Sequence, residues 1–368
     1  MDTLLTVLVC PLDWGIGHAT RCVPLIRSLK EGNNRVLLGC SGRSRAFLEV
    51  EFPELEIIDL PSYNIRYNKS GSLFFTLFMQ VPHILTVLLS EHRLLKKLVI
   101  DKKINLIISD NRFGMWSVKA YSVFMTHQLN IRVQGVTRIF LPVIRIINRF
   151  IINRFDECWI PDNAGIDNLS GELSHPVPRK GKFQYIGLLS RFDNQETNVE
   201  KHRQEAPGVL VMLSGPEPQR SIFENVIMNQ LKESSLQATI LQGKTEMVSQ
   251  SLVDGRIRIF SHQSTTEIAT LMRLSDFIIA RPGYSTLMDL AVLGCKAVFV
   301  PTPGQTEQEY LSDRLSNQGR CFSMRQQDFN IFEAVKRSED FPGFSAIPAG
   351  KGYIPRIAAI IHELRNKQ

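Results

Sequence analysis

The sequence predicts an α/β protein built from two doubly wound domains in tandem. Short apolar runs rich in branched residues alternate with longer stretches of helical periodicity. The alternation occurs twice, on either side of a polar stretch at 190–206 (SRFDNQETNVEKHRQEA) that reads as an interdomain linker. A chain of 368 residues, 43% of them hydrophobic, is long enough for two cores of ordinary size.

In the first half, strands are predicted at 4–10, 35–40, 56–60, 105–109, 132–136 and 157–160, with helices between them. The longest helix falls at 73–100, and the half closes after 184–187. The second half begins with a strand at 208–213 and a helix from 218, followed by strands at 237–242 and 256–260. A helix at 265–274, a strand at 276–280, a helix at 285–293 and a strand at 296–300 complete that series. The division is therefore an N-terminal domain at 1–187, a linker at 188–206 and a C-terminal domain at 207–351. A final helix within 352–368 is free to pack on either domain, the first included. Strands joined by helical crossovers imply parallel sheets covered on both faces. Ligands of such sheets bind at the carboxyl ends of the strands, so the loops there carry the function.

Composition narrows the classes. Lys plus Arg is 43 against 36 Asp plus Glu, a net charge of +7. That excess suits a phosphate-bearing ligand, nucleic acid or an anionic membrane surface without choosing among them. Aromatic platforms and a basic cluster at the motifs are lacking, so nucleic acid is not an expected partner. The six cysteines are scattered, with no paired metal-type spacing, and read as small buried hydrophobes of a reducing compartment. The N-terminal strand has no basic n-region or cleavage site, so secretion is not expected. The apolar segment 73–89 is short and broken by Gln80, Pro82 and His83, so a buried or interfacial helix is expected rather than a membrane span.

Three loops at predicted strand ends carry chemistry. The first, 11–21 (PLDWGIGHATR), has Gly15 and Gly17 for a tight turn and close ligand approach, ahead of a helix with unpaired N–H groups. His18 stands at that helix start. The spacing is G-x-G-H and not G-x-G-x-x-G, and no acid follows the next strand at the expected distance, so a dinucleotide site is not predicted. A helix-capping histidine is the plain alternative; the paired glycines favour a reactive one. The second loop follows the strand at 276–280: Arg281, Pro282, Gly283, Tyr284, Ser285 and Thr286 lead into a helix through Asp289. Its amides and hydroxyls suit an anion, and the carboxylate suits the paired hydroxyls of a ribose. An ordinary capped helix would explain Ser285 and Asp289, and Gly283 less well. The third, 300–310 (VPTPGQTEQEY), brings Gln305, Glu307, Gln308 and Glu309 to a helix entrance. Such groups read sugar hydroxyls, each of which both donates and accepts.

With these residues in view, 275–310 closely resembles the C-terminal signature of glycosyltransferase family 28, which includes the lipid II-forming peptidoglycan enzyme and the plant galactolipid synthases. That signature runs strand, R-x-G-x-x-T-x-x-E, an apolar strand ending V-P, then a loop to Q-x-x-N. The likeness covers the C-terminal half and the His18 loop. It implies a GT-B fold, with two doubly wound domains facing a cleft and a UDP-sugar held by the C-terminal domain. Gly283, Ser285 and Thr286 then contact the diphosphate, behind the signature's Arg281. Asp289 stands where the family has a ribose-binding Glu, and Gln308, with Gln305 nearby, where it has a sugar-binding Gln. Ser261 and His262 fall where backbone groups read the uracil edge. Arg191 falls where a linker arginine meets phosphate, although Leu188 and Leu189 replace the usual Asn-Pro. Gly17 joins the site from the first loop. The family's glycine-rich loop is here 214–220 (SGPEPQR), which keeps one glycine and carries an acid, leaving Ser214, Gly215 and Arg220 as its candidates.

The implied reaction is an inverting transfer without metal or other cofactor. Charge on the departing diphosphate is met by arginines and a helix terminus, and a base deprotonates the acceptor. His18 is the expected base, Asp110 the second candidate, and Asp13 a group that could orient His18. The segment 138–154 (RIFLPVIRIINRFIINR), with 73–89, points to a lipid-linked acceptor and peripheral contact with an anionic leaflet on the cytoplasmic face. A core helix with solvated arginines explains 138–154 equally well. Three other readings keep the fold. The stretch 15–22 (GIGHATRC) also resembles a nucleotide-sugar hydrolase in which the histidine activates water. A nonhydrolysing UDP-sugar 2-epimerase is a weaker enzyme alternative, and a catalytically inactive nucleotide-sugar-binding subunit is the alternative that an intact His18 argues against.

Overall fold

The computed structural model describes residues 4–65, 79–132, 139–177, 181–193, 208–244, 250–253, 255–345 and 347–367. The chain divides into two compact units: one takes Met1–Arg66, Phe74–Arg191 and Ala349–Gln368, and the other contains Phe192–Pro348.

The first unit runs β1 (Thr6–Pro11), α1 (Ile16–Glu31), β2 (Arg35–Cys40), α2 (Gly42–Glu51), β3 (Glu56–Asp59), α3 (Val81–Asp101) and β4 (Ile104–Asp110). It continues with β5 (Tyr121–Met125), α4 (Leu141–Ile152), β6 (Glu157–Ile160) and β7 (Phe183–Tyr185). These strands form one 7-stranded sheet in the order β3-β2-β1-β4-β5-β6-β7, with every pairing parallel. Every residue of β1 is buried, as a continuous apolar run between two covered faces requires. Leu8, Leu37, Ile107 and Leu95 pack together between this sheet and α3.

The second unit runs β8 (Val209–Met212), α5 (Gln219–Lys232), β9 (Ala238–Leu241), β10 (Gln250–Val253), β11 (Ile257–Phe260), α6 (Thr265–Leu274) and β12 (Phe277–Ala280). Then come α7 (Tyr284–Leu293), β13 (Ala297–Phe299), α8 (Thr306–Asn317), β14 (Phe322–Ser323) and α9 (Ile331–Ser338). Its sheet also has 7 strands, in the order β10-β11-β9-β8-β12-β13-β14. Only the edge pair β10–β11 is antiparallel. Local chemistry sets the helix ends: Ser264 and Glu267 form a reciprocal capping box on α6, and Gly294 (φ 68) ends α7 in the left-handed region. Phe223 of α5 meets Phe329 edge-on at 5.4 Å in the core, a burial worth about 1.5–3 kcal/mol for such a ring. After the second unit the chain returns to the first as α10 (Tyr353–Asn366), which packs on α1. Arg356 pairs with Glu157, and Arg365 donates to the Gly32 carbonyl.

The structure adds β7, β10 and β14, which the sequence reading did not contain, and it departs from that reading at one central strand. Among 132–136 only Arg132 lies within the described residues, and it is not in a strand; the strand between β4 and β6 is Tyr121–Met125. Its Ser122 interrupts an otherwise apolar run, yet is fully buried with its hydroxyl on the Ser117 and Ala120 carbonyls. At α4, where the sequence left two readings open, the helix is not a core helix. Val143, Ile146, Ile147 and Phe150 are all more than half exposed, and Arg145 and Arg149 are exposed beside them. Within 73–89, α3 likewise exposes Val81, Leu85 and Leu89 along one face. Residues 73–78, Arg138 and the linker stretch 194–206 lie outside the described residues. No described helix is long and apolar enough to cross a membrane.

Candidate active site

In each sheet the strand order turns back at one point, where the neighbouring loops diverge and leave room for a ligand. In the first sheet that point lies between β1 and β4. Parallel register sets Pro11 beside Asp110, and the Leu12 amide donates to the Asp110 carbonyl at 3.0 Å. The chain then turns through Gly15, whose φ of 143 and open surroundings suit a residue without a side chain, and enters α1 with no side-chain cap. His18 falls in the first turn of α1. Its Nδ1 lies 3.0 Å from Asp110 Oδ2, and its side chain is 19% exposed, so the ring is anchored at one nitrogen and open to a ligand.

Asp110 is fully buried and does more than meet His18. Arg21, one turn further along α1, donates its Nε to Asp110 Oδ2 at 2.7 Å and an Nη2 hydrogen to Oδ1, a two-pronged pair. Burial alone would raise the Asp110 carboxyl; the Arg21 guanidinium and His18 outweigh it and bring the carboxyl down to about 2. Burial, assisted by Arg21, holds the His18 imidazole below the ordinary histidine range, against the opposing pull of Asp110. Asp110 is therefore a fixed anion that orients His18 and is poorly suited to take up a proton itself. Asp13, expected to orient His18, faces elsewhere: Oδ2 accepts from Ser41, from Ser62 and from the Tyr63 amide. Beside it lies a second buried charge pair, Glu91–Arg112, whose guanidinium also donates to the Pro11 and Pro61 carbonyls and to Ser41.

In the second sheet the strand order turns back between β8 and β12. The loop after β8 carries Ser214 and Gly215, the latter at φ 102 with Thr302 Oγ1 3.5 Å from where a Cβ would stand. The Thr302 hydroxyl is buried without a partner, a group the sequence did not single out. The loop after β12 leads through Gly283, the uncapped N-terminus of α7, to Ser285 and Thr286, both partly exposed. Uncapped amides and two hydroxyls are groups of the kind that meet an anion. Asp289 lies in the same helix at 6% exposure. Gln305 precedes α8, likewise uncapped, and Gln308 Oε1 accepts from the Thr302 amide at 2.8 Å, so its NH2 end is the donor it can offer a ligand. Ser261 and His262 directly follow β11.

The arginines correct the sequence reading. Arg281, expected to face the ligand, is 1% exposed and turned inward. It donates to the Val300, Pro301 and Gln219 carbonyls and to Gln326, with its guanidinium 4.3 Å from the centre of the Phe223 ring. Arg220 is buried between Glu217 and Glu224 and donates to Ser221, so its charge is already balanced on its own helix. Arg191 lies buried over the Phe47 ring in the first unit. Among the described residues, no three His, Cys, Asp or Glu side chains gather as metal ligands.

Two doubly wound parallel sheets in tandem, each with its site loops at the turn in strand order, define the GT-B fold. A solved structure of the glycotransferase of kitacinnamycin matches at TM-score 0.64 and 12% identity, covering 100% of this chain and 95% of that one. Residues 220–343 match the glycosyltransferase family 28 C-terminal domain. An uncharacterized glycosyltransferase of Methanosarcina acetivorans is 24% identical over 308 residues, covering 80% of this chain and 79% of that protein. The UDP-N-acetylglucosamine--N-acetylmuramyl-(pentapeptide) pyrophosphoryl-undecaprenol N-acetylglucosamine transferase of Buchnera aphidicola is 24% identical over 347 residues, covering 85% and 88%. The chain is a glycosyltransferase with the GT-B fold, and its residues 220–343 match the family 28 C-terminal domain.

Proposed function

We propose that the chain transfers a hexose or N-acetylhexosamine from a UDP-sugar to an acceptor hydroxyl, with inversion and without a metal ion. The observation that carries this reading is the partly exposed His18 held through Nδ1 by the buried anion Asp110. With Nδ1 so occupied, Nε2 takes the acceptor's proton. The acceptor oxygen attacks the anomeric carbon as the bond to the diphosphate breaks, and the second unit receives the leaving charge. The Gly283 turn, with Ser285 and Thr286, supplies donors and a helix dipole there, and Asp289 holds the ribose.

The acceptor is lipid-linked in this reading. The exposed apolar face of α4, flanked by Arg145 and Arg149, suits peripheral contact with an anionic leaflet on the cytoplasmic side. The Buchnera relative's name describes a polyprenyl pyrophosphate acceptor. A nucleotide-sugar hydrolase is the second reading, favoured by one observation: Arg21 and Cys22 of GIGHATRC both reach Asp110 beside His18, so the residues of that motif stand together around the same base. Sugar release from a panel of UDP-sugars separates the two, measured with and without membrane lipid extract and with EDTA. Release only with extract, unaffected by EDTA, is the expected result. Release without any acceptor assigns hydrolysis, and loss in EDTA restored by a divalent ion overturns the metal-free step.

A further inference from the structure

Arg21 occupies all sides of its guanidinium. Besides its two bonds to Asp110, Nη1 lies 3.0 Å from His127 Nδ1, and Nη2 lies 2.9 Å from His18 Nδ1. A guanidinium only donates, so His127 Nδ1 accepts and its ring proton sits on Nε2. His18 Nδ1 has Asp110 Oδ2 at 3.0 Å as well as Arg21 Nη2, and in the Nδ1–H tautomer it donates to the carboxylate, leaving its contact with Nη2 without a hydrogen bond. His127 follows β5, the neighbour of β4, and is buried. Three adjacent strands thus bring His18, Asp110 and His127 around one cation. The charged and titratable groups facing His18 are Asp110 from β4, Arg21 from its own helix and His127 from beyond β5. Cys22 stands 4.0 Å from Asp110 Oδ2, and burial pushes its thiol well up, so it stays neutral.

A lone buried carboxylate beside a histidine favours the protonated ring and pushes the pH range in which it can act as a base upward. Here the carboxylate is already matched by a guanidinium. We propose that Arg21, held in place by His127, is the positioning residue of this site: it cancels the charge of Asp110, so that Asp110 orients His18 through Nδ1–H while the imidazole stays neutral and its Nε2 lone pair free. Neither Arg21 nor His127 touches the reacting atoms. Their contribution is the pH range over which His18 is competent, and the inference rests on the reading of His18 as the base.

Two readouts on the full chain test it. Protein labelled with 15N-histidine is titrated by NMR, and kcat for sugar release is followed against pH. In the parent, the neutral His18 ring should carry its proton on Nδ1. In Arg21→Gln the uncancelled Asp110 should raise the His18 midpoint by about one pH unit or more. His18 works only above its midpoint, so the acid limb of kcat should move up in step. Turnover on the acid side of both midpoints should fall about tenfold and recover at alkaline pH. A midpoint that stays or falls in folded Arg21→Gln overturns the inference, as does a parent ring protonated on Nε2 alone. Should that variant not fold, Arg21→Lys decides. Charge without the fork should keep the midpoint within about half a pH unit of the parent, and a rise of about one unit overturns the inference. A midpoint that rises while the acid limb stays leaves Arg21 setting the ring's charge and removes His18 from the role of base.

Discussion

Beneath the loop after β1 the first unit buries formal charges: Asp110 with Arg21, and beside them Glu91 with Arg112. Beneath the loops after β8 and β12 the second unit has Arg281 on neutral carbonyls, and Arg220 closed off by its own helix. Under the proposed function the contrast follows from what each unit would hold. A base must keep one ring nitrogen fixed and the other free, which takes a localised anion and something to balance it. A diphosphate brings its own charge and asks only for donors, which helix termini and hydroxyls supply with little side-chain entropy to lose. Under the proposed function the buried Asp110–Arg21 pair serves the half that moves a proton, and the Gly283 turn serves the half that holds an anion.

His18→Ala is the most severe way to break that comparison. Removing a positioned base costs about 100- to 10,000-fold in rate, so turnover should fall by that order while calorimetry finds UDP affinity nearly intact. Near-normal turnover in the folded variant would take the role from His18, and lost UDP binding would make it a ligand-positioning residue. Glu91→Ala comes next and bears on stability. It leaves Arg112 buried without its carboxylate, which should destabilise the first unit by about 3–5 kcal/mol in denaturant unfolding. A loss below about 1 kcal/mol would show that the carbonyls around Arg112 suffice, erasing the difference from Arg281. Asp289→Ala should have the smallest effect, weakening UDP binding by about 1–3 kcal/mol with the fold unchanged. Unchanged affinity would remove the one carboxylate assigned to the anion-holding half.

Regular elements with local signals were legible. The helix expected at 265–274 coincides with Thr265–Leu274 and the one expected within 352–368 is Tyr353–Asn366, because a capping serine or an unbroken apolar stripe sits in the chain itself. Strand β5 escaped because one buried serine disguised a central strand, and its cost is removed by partners that only the fold brings near. The glycines and His18 were visible as a turn, but its support was not. Asp13 lies five residues from His18 and faces away, while Asp110 arrives through the parallel register of β1 and β4. Arg21 stood in view one helical turn past His18, at a spacing that places both on one face. Arg281 misled because an arginine in a phosphate-type loop looks like a ligand group. Its direction is set by Phe223, far away in sequence, and by the carbonyls of the next loop.

The first unit is interrupted in sequence: β1 to β7 come before the whole second unit, and α10 comes after it. The junction is tight, since a Cβ on Gly187 would overlap the Gly350 carbonyl, and Ile357, Ile360 and Ile361 of α10 are buried. During translation the second unit is therefore made, and free to fold, before the first can close over α1. Until α10 leaves the ribosome, the side of α1 that it covers faces solvent or a chaperone. The half proposed to carry the catalytic histidine begins first and finishes last.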